Sequence, residues 1–393
     1  MILAGISGKN EMKKVVGQVQ REQIKNRAWI ELDLEHLAHN VGELRRVMPD
    51  GCNLMAVLKA NAYGHGAKII AEALNQLGVT AFATATIDEA IQLRQWSTQG
   101  EILVLGYTHP QRAGELARYQ ISQTLIDYDY AVLLERQGYE INTHIKIDTG
   151  MHRLGFEHQE TEHIANMFQS KFLKVCGMFT QLCVSDSLLA EDIAFTRLQI
   201  KRFYQLLSRL SQKGLRPANI HLQSSYGLLN YPELKCDSVR IGLALYGVSS
   251  KINEQTKLQL DLRPVLSLKS RIIFIRTIKC GDTIGYGRTF TSSRDSTIAV
   301  LPIGYADGIP RNLSAGNSYV LVHGEPAPMI GPVYMDQLTI DITGIPDVKT
   351  GDIVTLIGTD GMNELPAAVV ASKAGKISGE LLSQFHIRPD FMG

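Results

Sequence analysis

The sequence has no apolar run long enough to cross a lipid bilayer, and its first residues lack the basic segment of a secretory signal. It also lacks a marked charge of either sign, because 40 lysines and arginines stand against 39 aspartates and glutamates. A formal net charge of +1 gives no electrostatic reason to expect binding to nucleic acid or to an acidic membrane surface. We therefore expect a cytoplasmic protein with no membrane segment and no nucleic-acid partner.

Cysteine is scarce and scattered. The chain contains no CxxC pair, and its five cysteines are Cys52, Cys176, Cys183, Cys236 and Cys280. An odd number of cysteines without metal-ligand spacing argues against a disulfide framework and against a zinc site. The sequence thus predicts reduced thiols and no bound metal.

The chain has 393 residues, enough for two domains with sizeable cores. Between residues 54 and 246, short apolar segments alternate with amphipathic stretches. The segments typical of strands are 54–58, 81–85, 101–105, 123–126, 144–148, 175–180, 219–223 and 239–246. Eight strands with interposed helices predict an α/β fold of the (β/α)8 barrel type. A doubly wound open sheet is the alternative, but it needs a reversal of strand order that the sequence does not reveal.

The pattern of predicted secondary structure changes after about residue 250. Short strands are predicted at 265–278, 296–303, 318–323 and 339–342, and long helices are absent until about residue 367. This pattern favours a separate, mostly β domain. We divide the chain into an N-terminal extension (1–26), a barrel domain (27–258) and a C-terminal β domain (259–393). Near the start of the barrel domain, a strand at 29–33 precedes a helix that Asp33 can cap.

The most informative stretch is 54–66, LMAVLKANAYGHG. An apolar run precedes Lys59, and a glycine-containing turn follows it. This is the pattern expected of a strand that is buried on both faces and followed by a helix. Lys59 is then placed at the carboxyl end of a barrel strand, where such barrels carry their chemistry. A desolvated amine there has a lowered pKa and can act as a Schiff-base nucleophile, although most lysines at strand ends are simply solvated.

The seventh and eighth predicted strands end in small and hydroxyl residues, at the place where barrels often bind phosphate. The seventh leads into Gln223-Ser224-Ser225, and the eighth contains Arg240, Gly242 and Leu243. Hydroxyl and backbone N–H donors are thus available for a phosphate. Considered alone, small residues at strand ends more often serve packing.

Residues 59–66, KANAYGHG, resemble the cofactor-lysine motif of the alanine racemase family, whose members depend on pyridoxal 5′-phosphate (PLP). The resemblance extends from about residue 27 to residue 388. It implies PLP as cofactor, an amino-acid substrate, a barrel followed by a β domain, and a homodimer with shared active sites. It places the cofactor phosphate on Ser225, on the N–H groups of Gly242 and Leu243, and on the hydroxyl of Tyr63.

The resemblance gives Arg240 the position facing the pyridine nitrogen of PLP. A guanidinium does not give up its proton, so the ring nitrogen stays unprotonated and the ring is a weaker electron sink. Such a ring favours proton return at Cα, which is racemisation, over transamination. Considered alone, Arg240 is also compatible with a surface pair to Asp237.

Racemisation by two bases needs one base on each face of Cα. The resemblance assigns one face to Lys59 and the other to Tyr286, supplied by the β domain of the second subunit. A tyrosine with its ordinary pKa of about 10 is a poor base at neutral pH. It needs cationic neighbours and a hydrogen-bond partner, and His221 holds the matching position.

The resemblance also assigns the substrate carboxylate. It places that carboxylate on the N–H of Met335, next to Asp336 and again from the second subunit, and on Arg153, which also contacts the PLP phenolic oxygen. Lys146 matches a lysine that many members carry as a carbamate, with an ordinary lysine as the alternative. Tyr305 matches a tyrosine that lines the substrate channel.

Three positions differ from typical alanine racemases. Gln181 replaces a histidine that lies against the cofactor ring, and Tyr334 replaces a cysteine. Gly379 replaces a tyrosine that narrows the site, so a pocket built for a methyl group gains room for a hydroxymethyl group. The segments 377–383 and 221–232 are similar to the serine racemase modules of vancomycin resistance, which usually follow a membrane-spanning domain. The chain is either a soluble relative of those modules or the catalytic part of one.

These observations favour a racemase of alanine, serine or both that supplies D-amino acids for peptidoglycan. Two alternatives stay open. A PLP-dependent decarboxylase shares the architecture but places a carboxylate, not Arg240, at the pyridine nitrogen. A non-catalytic PLP-binding protein would account for Gln181 and Gly379, but it would have no need of Lys59 or Tyr286.

Overall fold

The structure is a computed structural model that describes residues 26–314 and 316–386. Apart from Asn26, the predicted N-terminal extension lies outside the described residues, as do the last seven residues of the predicted β domain. Strand β1 (Ala28–Leu32) leads into helix α1 (Leu34–Val47). Asp33 caps this helix as predicted, because its Oδ1 accepts a hydrogen bond from the backbone N–H of His36 at 2.8 Å.

A parallel barrel follows. Its strands are β2 (Asn53–Val57), β3 (Ala81–Thr84), β4 (Glu101–Val104), β5 (Ser122–Leu125), β6 (Ile141–Asp148), the short β7 (Phe156–Glu157) beside β6, β8 (Leu173–Phe179), β9 (Asn219–His221) and β10 (Ser238–Ile241). They pair in the order β10-β2-β3-β4-β5-β6-β8-β9. Backbone bonds from Asp237 N to Ile220 O (2.8 Å) and from Arg240 N to Gln223 O (3.1 Å) bridge the two ends. The predicted barrel is confirmed, and the open-sheet alternative is wrong.

Helices cover the outside of the barrel. They are α2 (Ala67–Gln76), α3 (Ile87–Gln95), α4 (Ala113–Arg118), α5 (Tyr128–Glu135), α6 (Thr161–Met167), α7 (Ala190–Gln212) and α8 (Ser225–Asn230). On β2, Met55 and Val57 belong to the small cluster inside the barrel, whereas Leu54 and Ala56 join the main core with the helices. Burial on both faces explains the unbroken apolar run before Lys59. Among the described residues, no helix has the length and apolar character needed to cross a membrane.

The second sheet is antiparallel and has nine strands. The remaining strands in the described part of the chain are β11 (Leu266–Arg271), β12 (Phe274–Ile278), β13 (Thr283–Ile284), β14 (Phe290–Thr291), β15 (Ser296–Leu301), β16 (Tyr319–Val322), β17 (Glu325–Ile330), β18 (Leu338–Asp341), β19 (Ile353–Asp360) and β20 (Asn363–Leu365). The sheet order is β1-β11-β19-β16-β17-β18-β15-β12 with β20 beside β19, while β13 and β14 pair apart from it. Helices α9 (Ala367–Lys373) and α10 (Ser378–Ser383) follow. This confirms the predicted mostly β domain.

The boundary predicted at residue 27 needs correction for β1. This strand pairs antiparallel with β11, from Ala28 opposite Ser270 to Leu32 opposite Leu266, so it belongs to the second sheet and not to the barrel. An isolated strand pattern does not reveal its partner, because the pairing is set by tertiary packing. The sequence also missed β17, where Pro326 and Pro328 argue against a strand.

Candidate active site

Lys59 begins a left-handed turn at the carboxyl end of β2. Residues Ala60, Asn61, Ala62 and Tyr63 all have φ between 52° and 55°. This conformation costs L-residues roughly 1–2 kcal/mol each, so it persists only where its surroundings hold it. The turn presents the Lys59 and Tyr63 side chains to the barrel mouth, where the ammonium lies 5.9 Å from the centre of the Tyr63 ring.

Three side chains hold the turn. Glu89 Oε1 accepts from the N–H of Ala60 at 2.7 Å, and Asn61 Oδ1 accepts from the N–H of Ala67 at 2.8 Å. The buried ring of His65 has its Nδ1 3.0 Å from the carbonyl oxygen of Ala62. Sequence reasoning missed Glu89 as a contributor to the site. Its signal was the spacing of Thr86 and Glu89, a capping box at the start of α3.

Donor groups converge beside Tyr63. Ser225 Oγ accepts from the N–H of Gly242 at 3.2 Å and from that of Ala244 at 3.4 Å. A Cβ added to Gly242 would lie 2.8 Å from the Tyr63 hydroxyl oxygen, so only glycine leaves this space open. Burial raises the pKa of Tyr63 to about 12, which keeps its hydroxyl protonated as a donor. The structure thus brings together the residues predicted to hold a phosphate.

Four cationic side chains surround the same mouth: Lys59, Lys146, Arg153 and Arg240. Burial, followed by the charge of Arg153, lowers the pKa of Lys59, although Glu89 opposes the shift. Burial, followed by Arg153 and Arg240, lowers the pKa of Lys146 to about 8. Asp148 only partly offsets these charges. Such a cluster is suited to anionic ligands.

Arg240 is buried, and four hydrogen bonds hold its guanidinium group. Its Nη1 donates to His221 Nδ1 at 2.7 Å and to the His221 carbonyl oxygen at 2.9 Å, and its Nη2 donates to the carbonyl oxygen of Thr180 at 2.8 Å. Nη2 also donates to Gln181 Oε1 at 3.1 Å. Within the described residues (26–314 and 316–386), no acceptor takes the remaining Nε–H, so it can serve a ligand. The pair with Asp237 is not formed, since the carboxylate of Asp237 accepts from the N–H of Ile220.

The predicted pairing of His221 with Tyr286 is wrong in this structure. His221 is completely buried, and its second nitrogen, Nε2, lies 2.8 Å from Nδ1 of His144. Both ring nitrogens are therefore occupied. Tyr286, by contrast, is 84% exposed. His221 reaches the site only through Arg240.

The β domain carries a second group of predicted residues. Tyr286 stands edge-on to Tyr334 with ring centres 5.7 Å apart. The backbone oxygens of Tyr334 and Met335 accept from the N–H groups of Tyr305 (2.8 Å) and Ala306 (2.9 Å). Met335 is 59% exposed, and the neighbouring Asp336 is exposed as well. Within one chain, neither Tyr286 nor Met335 forms a described hydrogen bond or ring contact with the barrel residues.

Gly379 lies on α10 beside the donor groups. A Cβ at this position would lie 3.7 Å from Leu243 Cδ2 and 3.8 Å from Tyr63 Cδ1, which are ordinary contacts. The same helix covers the left-handed turn, because a Cβ at Gly64 would lie 2.1 Å from the carbonyl oxygen of Leu382. The structure therefore places the position with the missing tyrosine at the site predicted to hold the phosphate.

One group of potential metal ligands occurs in the described residues, Asp148, His152 and Glu157, with ligand atoms within 4.8 Å of one another. Asp148 Oδ1 already accepts from the N–H groups of Gly150 (2.8 Å), Met151 (3.0 Å) and His152 (3.2 Å). His152 and Glu157 are exposed. Exposed groups of this kind are common without a metal, and we assign none.

Comparison with known proteins gives two family matches. Residues 32–250 match the family profile described as alanine racemase, N-terminal domain, and residues 265–391 match alanine racemase, C-terminal domain. A protein named amino-acid racemase from Enterococcus faecalis is 50% identical over 363 residues, covering 92% of this chain and 51% of the relative. A serine/alanine racemase from Enterococcus gallinarum is 42% identical over 322 residues, covering 82% of this chain and 46% of the relative. The chain therefore spans about half the length of these relatives.

Other relatives match over nearly their whole length. An alanine racemase from Nostoc sp. is 37% identical over 370 residues, covering 92% of this chain and 94% of the relative. Among solved structures, an alanine racemase of Clostridium difficile 630 superposes with a TM-score of 0.86 at 32% identity, covering 93% of this chain and 94% of that chain. A histidine racemase from Leuconostoc mesenteroides superposes with a TM-score of 0.82 at 28% identity, covering 93% and 97%.

Proposed function

Because this chain belongs to the alanine racemase family, we propose that it is a PLP-dependent amino-acid racemase that interconverts the L and D forms of alanine, of serine, or of both. The observation that carries the proposal is the meeting of three features at one barrel mouth. They are the Lys59 amine with its lowered pKa, the donor groups around Ser225, and the unpartnered Nε–H of Arg240.

The residues present fit PLP. The Tyr63 hydroxyl, the Ser225 hydroxyl and the N–H groups of Gly242 and Leu243 would hold its phosphate, and the absent side chain at Gly242 leaves the room required. Arg240 would face the ring nitrogen with Nε–H, because its four other N–H bonds are used within the protein. When bound, PLP withdraws electrons from Cα of an attached amino acid and so makes its hydrogen acidic.

Lys59 supplies the base on one face of the substrate. Its lowered pKa increases the fraction of neutral amine near pH 7, and only the neutral amine can take a proton. The left-handed turn fixes its direction. Arg240 keeps its own protons, so an acceptor opposite its Nε–H stays unprotonated and electron withdrawal stays modest. Such an arrangement favours return of the proton to Cα and opposes decarboxylase-like or transaminase-like use of the site.

Tyr286 of a second copy supplies the base on the other face. In one chain this tyrosine is exposed and separate from the barrel residues, so the site lacks a second base unless another copy provides it. We infer a homodimer in which each β domain completes the partner's barrel. The N–H of Met335, next to Asp336, and the Tyr305 ring would enter the same shared site as carboxylate ligand and channel wall.

The substrate carboxylate is held on the barrel side by Arg153. Lys146 lies close to both Arg153 and Arg240, and the shift of its pKa to about 8 makes a neutral amine accessible under mild conditions. A neutral amine can add carbon dioxide and release one proton to solvent, and the resulting carbamate would place a negative charge beside Arg153 that orients its guanidinium. Gln181 would place an uncharged amide beside Arg240 near the cofactor, and Tyr334 would place an uncharged ring beside Tyr286 in the β domain.

Substrate choice is proposed to follow from Gly379, where a tyrosine side chain is absent beside Leu243 and Tyr63. Its absence supports turnover of serine as well as alanine. The five free cysteines are compatible with a reducing cytoplasm, where the D-amino acids produced would serve peptidoglycan synthesis.

The proposal is tested by incubating the purified, PLP-loaded protein with L-alanine or L-serine and measuring the D enantiomer by chiral chromatography. We expect D-alanine, D-serine or both, no release of carbon dioxide, and no activity in Lys59→Ala. Carbon dioxide without enantiomer exchange would instead identify a decarboxylase. Bound PLP without either product would identify a non-catalytic binding protein.

A further inference from the structure

A chain of hydrogen bonds runs from Arg240 through the interior of the barrel. Arg240 Nη1 is 2.7 Å from His221 Nδ1, His221 Nε2 is 2.8 Å from His144 Nδ1, and His144 Nε2 is 2.8 Å from Glu101 Oε1. Both histidines are completely buried. Glu101 is the first residue of β4, so this series of hydrogen bonds connects the catalytic mouth with the opposite end of the barrel.

The direction of every bond in this chain is fixed by its two ends. A guanidinium can only donate, so His221 Nδ1 must accept and its proton lies on Nε2. His144 Nδ1 therefore accepts from His221, and its own proton also lies on Nε2. That proton points to Glu101, whose carboxylate can only accept. Both histidines are thus neutral and protonated on Nε2.

The surrounding packing makes room for this arrangement. A Cβ at Gly177 would lie 2.4 Å from His144 Nδ1, so the strand next to His144 tolerates only glycine there. Phe179 stacks on His221 with ring centres 4.7 Å apart and an angle of 11°, and the Arg240 guanidinium carbon lies 5.0 Å from the same ring. Packing therefore fixes the positions of the His144 and His221 rings. Their hydrogen-bond partners then determine which ring nitrogen carries the proton.

We propose that Glu101 and His144 are positioning residues, which hold Arg240 in place by selecting the tautomer of His221. The idea rests on the proposed function, in which Arg240 faces the cofactor. If His144 carried its proton on Nδ1, His221 would present an N–H to the N–H of Arg240, and the guanidinium would be displaced. Glu101 disfavours that state because it offers no donor to His144 Nε2.

Glu101 is suited to this part. Although burial opposes its ionisation, hydrogen bonds from His144 and from Ser122 Oγ (3.0 Å) together lower the pKa of Glu101. The carboxylate therefore stays ionised and acceptor-only at neutral pH. As a comparison, loss of the hydrogen-bond partner of a metal-binding histidine lowers metal affinity or activity by about 10- to 100-fold.

The test compares Glu101→Leu, which removes the acceptor, with Glu101→Gln, which removes the charge and offers His144 Nε2 both an acceptor oxygen and an N–H donor. Glu140→Leu is the control, since Glu140 is an exposed carboxylate just before β6 at the same end of the barrel. The readouts are two-bond ¹H–¹⁵N spectra of ¹⁵N-histidine-labelled, PLP-loaded protein, together with kcat, KM and thermal unfolding. His144→Gln assigns the signals.

We expect neutral, Nε2-protonated His144 and His221 in the wild type. In Glu101→Gln the amide can also donate to His144 Nε2, so we expect a partial shift to the Nδ1 tautomer and a kcat between those of the wild type and Glu101→Leu. Glu101→Leu is expected to lose about tenfold in kcat, with mixed tautomers and little change in KM. A cationic or Nδ1-protonated His144 in the wild type overturns the proposal even if Glu101→Leu does not fold. Wild-type kcat and histidine signals in Glu101→Leu, or an equal loss in Glu140→Leu, also overturn it. Predicted tautomers without any wild-type racemisation overturn the proposed function and the positioning role with it, whereas reversed tautomers in an active enzyme overturn the positioning role alone.

Discussion

Replacing Gly379 by tyrosine tests the origin of substrate choice. A Cβ at this position has ordinary contacts of 3.7 Å to Leu243 and 3.8 Å to Tyr63, so a side chain can start there without moving the backbone. The aromatic ring would then lie beside Leu243 and Tyr63, where we propose that it narrows the site. Serine differs from alanine by one hydroxyl group, and a group of about that size changes discrimination by roughly 1–3 kcal/mol in a closed pocket. We therefore expect the ratio of kcat/KM for serine to that for alanine to fall about 10- to 100-fold.

The assay measures initial rates of D-enantiomer formation from L-serine and L-alanine under identical conditions. Gly379→Ala is the control, because its Cβ fits and alanine favours a helix by up to about 1 kcal/mol over glycine. Its ratio should stay near that of the wild type, with equal or higher thermal stability. An equal fall of both rates in Gly379→Tyr would refute the reasoning. A wild-type preference for alanine of about a thousandfold, or about 4 kcal/mol, would refute serine as a substrate.

Three further predictions concern the shared site, the turn and the buried lysine. Co-expression of the inactive variants Lys59→Ala and Tyr286→Phe should restore about a quarter of the wild-type activity, because about half of the dimers are mixed and each mixed two-fold dimer has one intact site of two. Activity no higher than that of the separate variants would contradict the dimer. Glu89→Ala should lower the free energy of unfolding, measured by urea titration, by about 1–3 kcal/mol, since the N–H of Ala60 loses its acceptor. The control Asp88→Ala removes an exposed ion pair with Arg112 and should change the free energy of unfolding by less than about 1 kcal/mol. In carbon dioxide-free buffer without PLP, Lys146→Met should raise stability at pH 7 by about 1–3 kcal/mol, because the folded pKa of about 8 lies below the unfolded value of 10.5. That gain should shrink as pH rises from about 8 to 10.5, and a gain independent of pH would contradict the assigned pKa.

Much of the barrel could be predicted because burial on both faces of a parallel strand leaves an unbroken apolar run. The run before Lys59 is one example, and Met55 and Ala56 indeed face opposite cores. The position of β1 could not be predicted, because its sequence fits either sheet and only the pairing with β11 decides. Strand β17 was missed because its two prolines are tolerated only where the local hydrogen-bond pattern permits.

At the site, the resemblance to the alanine racemase family pointed to Lys59, Ser225 and Arg240, which the fold brings to one mouth. The left-handed turn after Lys59 was not foreseen, since four consecutive residues other than glycine in that conformation have no local sequence signal. The occupation of both His221 nitrogens was not foreseen either. It depends on His144, which lies 77 positions earlier and meets His221 only across the barrel interior.

The most direct test of the account is the site at which PLP becomes attached. The protein is incubated with PLP, reduced with borohydride, digested and sequenced by mass spectrometry, with Lys59→Ala and a surface variant such as Lys68→Ala treated in parallel. We predict a single reduced PLP adduct, on Lys59, in the wild type and in Lys68→Ala, and no adduct in Lys59→Ala. Reduced PLP spread over surface lysines, or a protein that stays colourless with added PLP, would contradict the account.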